Sequence, residues 1–191
     1  MKILCFGDSN TFGYDPRSFF GSRYDEKHRW VDIVQDRTGF TMINAGQNGR
    51  EIPHRSFEFE AVQGLIRQYN PDGIIVMLGT NDLLQSTDLD TIAARMEAFL
   101  KARTLPVLLI TPPPLQRGAW VEADSLVSDS QLLGDRYREL AEHLRISFAD
   151  SNAWGIELTF DGVHFSESGH CAFADRLTEI LRGEPVWGTS R

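Results

Sequence analysis

The sequence predicts an α/β protein, a three-layer α/β/α sandwich built on a five-stranded parallel sheet. Three observations carry this. Five short apolar runs alternate with amphipathic segments of helical spacing. The clearest runs are apolar throughout rather than at every second residue, as strands buried on both faces must be. The first four end in clusters of Gly, Pro, Asn, Asp and Thr or Ser, which punctuate turns. A chain of 191 residues suits one domain over 1–191 and buries about 70% of the surface its unfolded form exposes, without help from disulfides or metal.

The elements follow in order. Residues 2–6 (Lys-Ile-Leu-Cys-Phe) form a buried strand, stopped by Gly7-Asp8-Ser9-Asn10. Apolar positions 30, 31, 33 and 34 make residues 30–37 a short helix. Residues 40–43 read as the second strand, cut off by Asn44-Ala45-Gly46-Gln47-Asn48-Gly49. Residues 57–69 form a helix ended by Asn70-Pro71, because the residue before proline is pushed out of the helical region. Residues 73–78 (Gly-Ile-Ile-Val-Met-Leu) are the third strand and 91–100 the next helix. Residues 106–110 are the fourth strand, halted by Thr111-Pro112-Pro113-Pro114. A helix at 131–144, a short strand at 146–149 and a final helix at 166–181 complete the pattern. Residues 13–29 and 112–129 remain as long irregular stretches.

Parallel strands joined by right-handed crossovers open their C-terminal ends onto one edge, and open α/β sheets bind ligands there. Functional residues are therefore expected just after strands.

Charge and cysteine content exclude several partners. Nineteen Lys and Arg against 27 Asp and Glu give a net charge of −8, which argues against nucleic acid and anionic membrane surfaces. The longest apolar runs fall far short of the roughly 20 residues that span a bilayer. Cys5 and Cys171 stand in apolar surroundings and read as small buried hydrophobes. No Cys-x-x-Cys or His-Glu-x-x-His spacing occurs, so no metal site is expected. Met1 leads directly into the first strand without a signal-peptide pattern, so the expected location is cytoplasmic.

Four segments carry chemistry. Gly7-Asp8-Ser9-Asn10 places a serine in a tight turn after strand one, where its hydroxyl is presented beside backbone N–H groups. Asp161-Gly162-Val163-His164 sets a carboxylate and an imidazole three residues apart, able to meet so that Asp fixes the His tautomer and His faces the serine. Gly79-Thr80-Asn81-Asp82 follows the third strand and offers the Asn81 amide to an oxyanion; one such donor is worth about 2.7–4 kcal/mol of barrier. The fourth, Asn44-Ala45-Gly46-Gln47-Asn48-Gly49-Arg50, follows strand two, where a glycine lets backbone N–H approach a ligand, and Gly46 is the one that falls immediately after the strand. Any one of the four is also a plain capping turn. Together they converge on the predicted edge.

From Gly7 to the final helix, the ordered set of these four blocks resembles the SGNH, or GDSL-like, serine hydrolases. The stretch Asn10-Thr11-Phe12-Gly13-Tyr14-Asp15-Pro16 looks like their arylesterase/acyltransferase branch. Asn10 stands where many members have Leu. The resemblance implies a flavodoxin-like sheet, with Ser9 as nucleophile, His164 as general base and Asp161 as its orienter. It implies an oxyanion hole made of the Ser9 N–H, the Gly46 N–H and the Asn81 side chain. The implied reaction is hydrolysis of short-chain carboxylic esters, or transfer of their acyl group, through an acyl-enzyme, a mechanism that requires no metal or cofactor. The partner is then a small-molecule ester, with a homo-oligomer left open.

Asn10, Tyr14, Trp30 and Trp154 are the candidate pocket residues; Tyr14 and Trp30 belong to an aromatic-rich stretch with Phe19, Phe20 and Tyr24. His28, His54, His143 and His170 read as surface or locally bonded residues, and Asp8 and Asp82 as turn anchors. Pro112-Pro113-Pro114-Leu115 directs the next loop either over the site or into a subunit contact. Competing functions are a carbohydrate O-deacetylase, a lysophospholipase or thioesterase, and a non-catalytic ligand-binding relative. No long aliphatic stretch occurs in the loops, which favours short acyl groups.

Overall fold

The structure, a computed structural model, describes residues 1–18, 20, 22–183 and 186–187. Strands β1 (Lys2–Gly7), β2 (Thr41–Gly46), β3 (Gly73–Met77), β4 (Val107–Ile110) and β5 (Ser147–Ala149) form one parallel sheet in the order β2-β1-β3-β4-β5. This is the flavodoxin-like order, whose switch point lies between β1 and β3. The chain leaves β1 toward β2 on one side and returns to β3 on the other, so a crevice opens between the ends of β1 and β3.

Side chains alternate across the sheet, as the two-residue period of a strand requires. Ile3, Cys5, Ile75, Met77, Leu108 and Ile110 face a core closed by helices α2 (Trp30–Thr38) and α7 (Glu167–Arg182) through Trp30, Val34, Phe173 and Leu177. Leu4, Phe6, Ile74, Val76, Val107 and Leu109 face a second core. That face is closed by α3 (Ser56–Tyr69), α5 (Leu89–Lys101) and α6 (Asp124–Leu144), through Val62, Met96, Phe99 and Tyr137. The predicted three layers are therefore present. Among the described residues no helix is long and apolar enough to cross a membrane.

The differences from expectation are local. Helices α1 (Ser9–Phe12) and α4 (Thr80–Leu84), each of one turn, follow β1 and β3 directly where turns were expected. Strand β2 runs on to Gly46 because Asn44, Ala45 and Gly46 pair with Cys5, Phe6 and Gly7. Helix α6 begins at Asp124, two turns earlier than its apolar spacing suggests, and takes up part of the stretch 112–129. Its polar opening (Asp-Ser-Leu-Val-Ser-Asp) hides Leu126 and Val127, which pack on Leu115, Val121 and Val163. His170 is not a surface residue. It is fully buried, its Nδ1 accepts from the Trp30 N–H at 3.4 Å, and burial pushes its pKa down to about 3.

Candidate active site

The turn after β1 is built to stop the strand abruptly. A Cβ on Gly7 would lie 2.0 Å from Thr11 Oγ1, so only glycine lets α1 fold back at once. Asp8 caps that helix by accepting from the Asn10 N–H at 2.9 Å, and Gly13, at φ 88°, ends it. Ser9 is thus the first helical residue, and its N–H has no acceptor within the helix. The Asp8 carboxyl is buried, which pushes its pKa up to about 6 against the pull of the Asn10 N–H, His164 and Arg50.

Asp161 and His164 sit on a tight loop before α7. Leu158 and Phe165 form an antiparallel bridge, and the Thr159 N–H donates to the His164 carbonyl at 2.7 Å. Gly162 turns the loop at φ 79°, with the Gln116 carbonyl where a Cβ would be. The Asp161 carboxylate accepts from the N–H groups of Val163 and His164 and from Thr159 Oγ1 through one oxygen. Its other oxygen accepts from His164 Nδ1 at 2.7 Å. Burial works to raise the Asp161 pKa, but the His164 side chain and these N–H donors outweigh it and hold it near 2.

A carboxylate only accepts, so it fixes the proton of His164 on Nδ1 and leaves Nε2 as an acceptor. Ser9 Oγ donates to Nε2 at 3.0 Å. All three side chains are nearly or fully buried. Two segments some 150 residues apart in sequence thus meet in one chain of hydrogen bonds, with a hydroxyl placed to lose its proton to an imidazole.

Asn81, in α4, lines the same cleft, and its amide donates to the Arg50 carbonyl at 3.0 Å. Its neighbour Asp82, fully buried, accepts from the Ile52 N–H and from Arg95. Residues 81 and 82 thereby staple residues 50–52 to α4. Tyr137 donates to the Leu78 carbonyl at 2.9 Å and fixes the end of β3 from below.

Gly46 does not reach the cleft. It belongs to β2, its N–H donates to Asn44 Oδ1 at 3.0 Å, and a Cβ there would lie 2.1 Å from Phe12 N. Glycine is needed at 46 because the α1 backbone packs against it. Gly49 and Asn48, three and two residues further on, line the cleft with Ser9 and Asn81.

The cleft holds about 280 Å³ and is walled by Tyr14, Leu84, Trp120, Val163 and His164. Tyr14 packs on the His164 ring at 4.7 Å between centroids, and Trp120 stands nearly perpendicular to it at 5.2 Å. Trp120 arrives on the loop after β4. There the Trp120 N–H donates to the Asp161 carbonyl and the Ala119 N–H to the Phe160 carbonyl. A Cβ on Gly118 would lie 2.5 Å from the Asp161–Gly162 peptide. The Pro-rich stretch therefore leads over the site.

Of the other expected pocket residues, Tyr14 alone lines the cleft. Trp30 is buried in the core against Phe173, and its Nε1 donates to the Asn10 carbonyl. Trp154 packs on Phe173 and borders a separate surface groove with Arg37 and Arg182. Asn10 is buried and turned away from the cleft toward the backbone at 163 and 165. Phe19 lies outside the described residues. Sequence reasoning passed over Trp120 and Leu84, and within the segment from Asn44 to Arg50 it chose Gly46 rather than Asn48 and Gly49. An aromatic residue in a loop leaving a strand's C-terminal end was the available signal for Trp120.

Residues 5–172 match the GDSL-like lipase/acylhydrolase family. Among solved structures, an aryl esterase from M. smegmatis is 25% identical, with a TM-score of 0.77 over 95% of this chain and 98% of that one. A carbohydrate acetylesterase family member from Sinorhizobium meliloti is 23% identical, with a TM-score of 0.79 over 95% and 97%. An acetylxylan esterase from Geobacillus stearothermophilus is 23% identical, with a TM-score of 0.72 over 100% and 97%. These last two likenesses concern the fold. No curated protein sequence matches the chain.

Proposed function

The chain belongs to the GDSL-like lipase/acylhydrolase family and is an esterase, and we propose that it cleaves short-chain carboxylic esters of ring-bearing alcohols through a Ser9-His164-Asp161 triad. The observation that carries this reading is the unbroken run from Ser9 Oγ through His164 to Asp161, at 3.0 and 2.7 Å, opening into a cleft. Ser9 attacks the ester carbonyl while His164 takes its proton, and Asp161 stabilises the imidazolium as it forms. The tetrahedral oxyanion is held by the Ser9 N–H and the free N–H of Asn81. Gly49, lining the cleft beside them, supplies the third N–H in place of Gly46. His164 then protonates the leaving alcohol, and water or another acceptor releases the acyl group.

The leaving oxygen must lie near His164 Nε2 to receive its proton, so the groups packed on His164 also flank the alcohol. Those groups are the rings of Tyr14 and Trp120, which suit a flat aromatic ring or the face of a sugar. The aliphatic lining is limited to Leu84 and Val163, too little for a long acyl chain. Aryl esterase and carbohydrate acetylesterase, the activities named for two of the similar structures, both fit an acyl group on a ring alcohol.

Turnover of p-nitrophenyl esters from acetyl to decanoyl tests the reading together with Ser9→Ala. The expected result is a maximum at acetyl to butyryl and loss of nearly all activity in the variant. A maximum at C8 or beyond overturns the short-acyl assignment, and an active Ser9→Ala overturns the triad.

A further inference from the structure

Asn10 follows the serine directly and is 4% exposed, yet its side chain does not border the cleft. Its Nδ2 donates to the Val163 carbonyl at 3.1 Å, and its Oδ1 accepts from the Phe165 N–H at 2.9 Å. Val163 and Phe165 are the two residues on either side of His164. The amide therefore grips both peptide units that determine where the imidazole stands.

Asn10 is itself immobilised. Its N–H donates to Asp8 Oδ1 at 2.9 Å and its carbonyl accepts from Trp30 Nε1 at 3.0 Å. A short ring of contacts results: Ser9 is bonded to Asn10, Asn10 grips 163 and 165, and His164 between them returns to Ser9 Oγ. Because α1 and the 163–165 segment are distant in sequence, this grip acts directly on the separation of hydroxyl and imidazole.

We infer that Asn10 is a positioning residue for the general base, holding His164 in register with Ser9 through the two peptide units that flank the imidazole. The inference rests on the triad reading above. The chemistry needs Asn in particular. A carboxylate at 10 keeps the acceptor for Phe165 but has no donor for Val163, an aliphatic residue has neither, and Gln adds a methylene to a fully packed position. A misplacement on the order of 1 Å at a reacting pair costs about 100-fold in rate, whereas substrate binding in the cleft is untouched.

The test is a double-mutant cycle on p-nitrophenyl acetate turnover, with Asn10→Leu and Asn10→Asp each made alone and in a His164→Ala background. Alone, Asn10→Leu is expected to lower kcat by about 10- to 100-fold with KM within about 2-fold, and Asn10→Asp to lower it less. In the His164→Ala background neither should lower the residual rate by more than about 2-fold, because the group they position is gone. An equal fractional loss in both backgrounds, or a loss confined to KM, overturns the proposal. If Asn10→Leu fails to fold, Asn10→Asp decides alone: an unchanged kcat overturns the proposal. A His164→Ala enzyme that retains the wild-type rate would instead overturn the triad reading, whatever the Asn10 variants do.

Discussion

The side-chain amide of Asn81 donates to the Arg50 carbonyl at 3.0 Å, so one of its two N–H groups is committed to the loop after β2 while the residue lines the cleft. The amide proposed as an oxyanion donor is thus held in place before any substrate arrives. Preorganisation of this kind gives an oxyanion donor its value, since no reorganisation is needed as charge develops.

Asn81→Ala should therefore lower kcat by about 100- to 1,000-fold with KM little changed, because the oxyanion exists only after attack. Steady-state kinetics on a short-chain ester checks this. A change confined to KM would place Asn81 in ground-state binding instead.

The Trp120 and Tyr14 rings should set selectivity for the alcohol. Trp120→Ala is expected to lower kcat/KM for benzyl acetate by about 5- to 10-fold relative to ethyl acetate, the equivalent of about 1 kcal/mol of ring contact. Methyl benzoate, with its ring on the acyl side, should show no such loss. Competition assays with the three esters give the comparison directly.

Asp8 and Asp161 should act on stability with opposite signs. Burial raises the Asp8 pKa from 3.8 to about 6, so its ionisation opposes folding. The stability it lends is fully present below the unfolded pKa and is lost as pH rises through about 6. Asp8→Asn keeps a capping oxygen and should be more stable than the parent at pH 7–8, by about 3 kcal/mol, with the advantage gone near pH 4. The Asp161 pKa is instead held near 2, so its contribution is present above the unfolded pKa and is lost as pH falls toward 2. Urea unfolding across pH 3–8 separates the two.

Arg95 pairs with the buried Asp82 at 2.8 Å, and Asp82 also holds the Ile52 N–H. Arg95→Met should destabilise the fold by about 2 kcal/mol, because it leaves a buried carboxylate without its cation. Adding Asp82→Asn should restore part of that loss, since the charge needing compensation is removed. Thermal unfolding of the single and double variants is the measurement.

The sheet, its layers and the Ser9–His164–Asp161 cluster were legible because each rests on local chemistry: uniform apolar runs, capping residues, and residue types placed just after strands. Gly46 was misread because the sequence holds two glycines near the end of β2, and only strand pairing decides which lies beyond the sheet. Pairing of Ala45 with Phe6 and Gly46 with Gly7 carries β2 on and leaves the turn to Gln47 through Arg50. Trp30 and Trp154 were misplaced for a related reason. An aromatic residue beside a site in sequence has the same composition signal whether it faces the cleft or the core, and packing on Phe173 turned both inward. Trp120 was missed because its loop comes back onto Asp161 through backbone hydrogen bonds, which no side-chain pattern encodes.

Gly118 has its Cα against the Asp161–Gly162 peptide, two residues before Trp120. The wall proposed to flank the substrate and the loop that carries Asp161 and His164 are thus one joined part rather than two modules. Tyr14 stands on a separate segment, tied by its N–H to the Ser9 carbonyl, so exchanging it leaves the backbone of the Asp161 loop in place even though its ring packs on His164. Grafting a different loop after β4, by contrast, would have to reproduce the glycine contact or disturb the base along with the specificity. Diversification of substrate range in this scaffold should therefore run through the first loop more readily than the second.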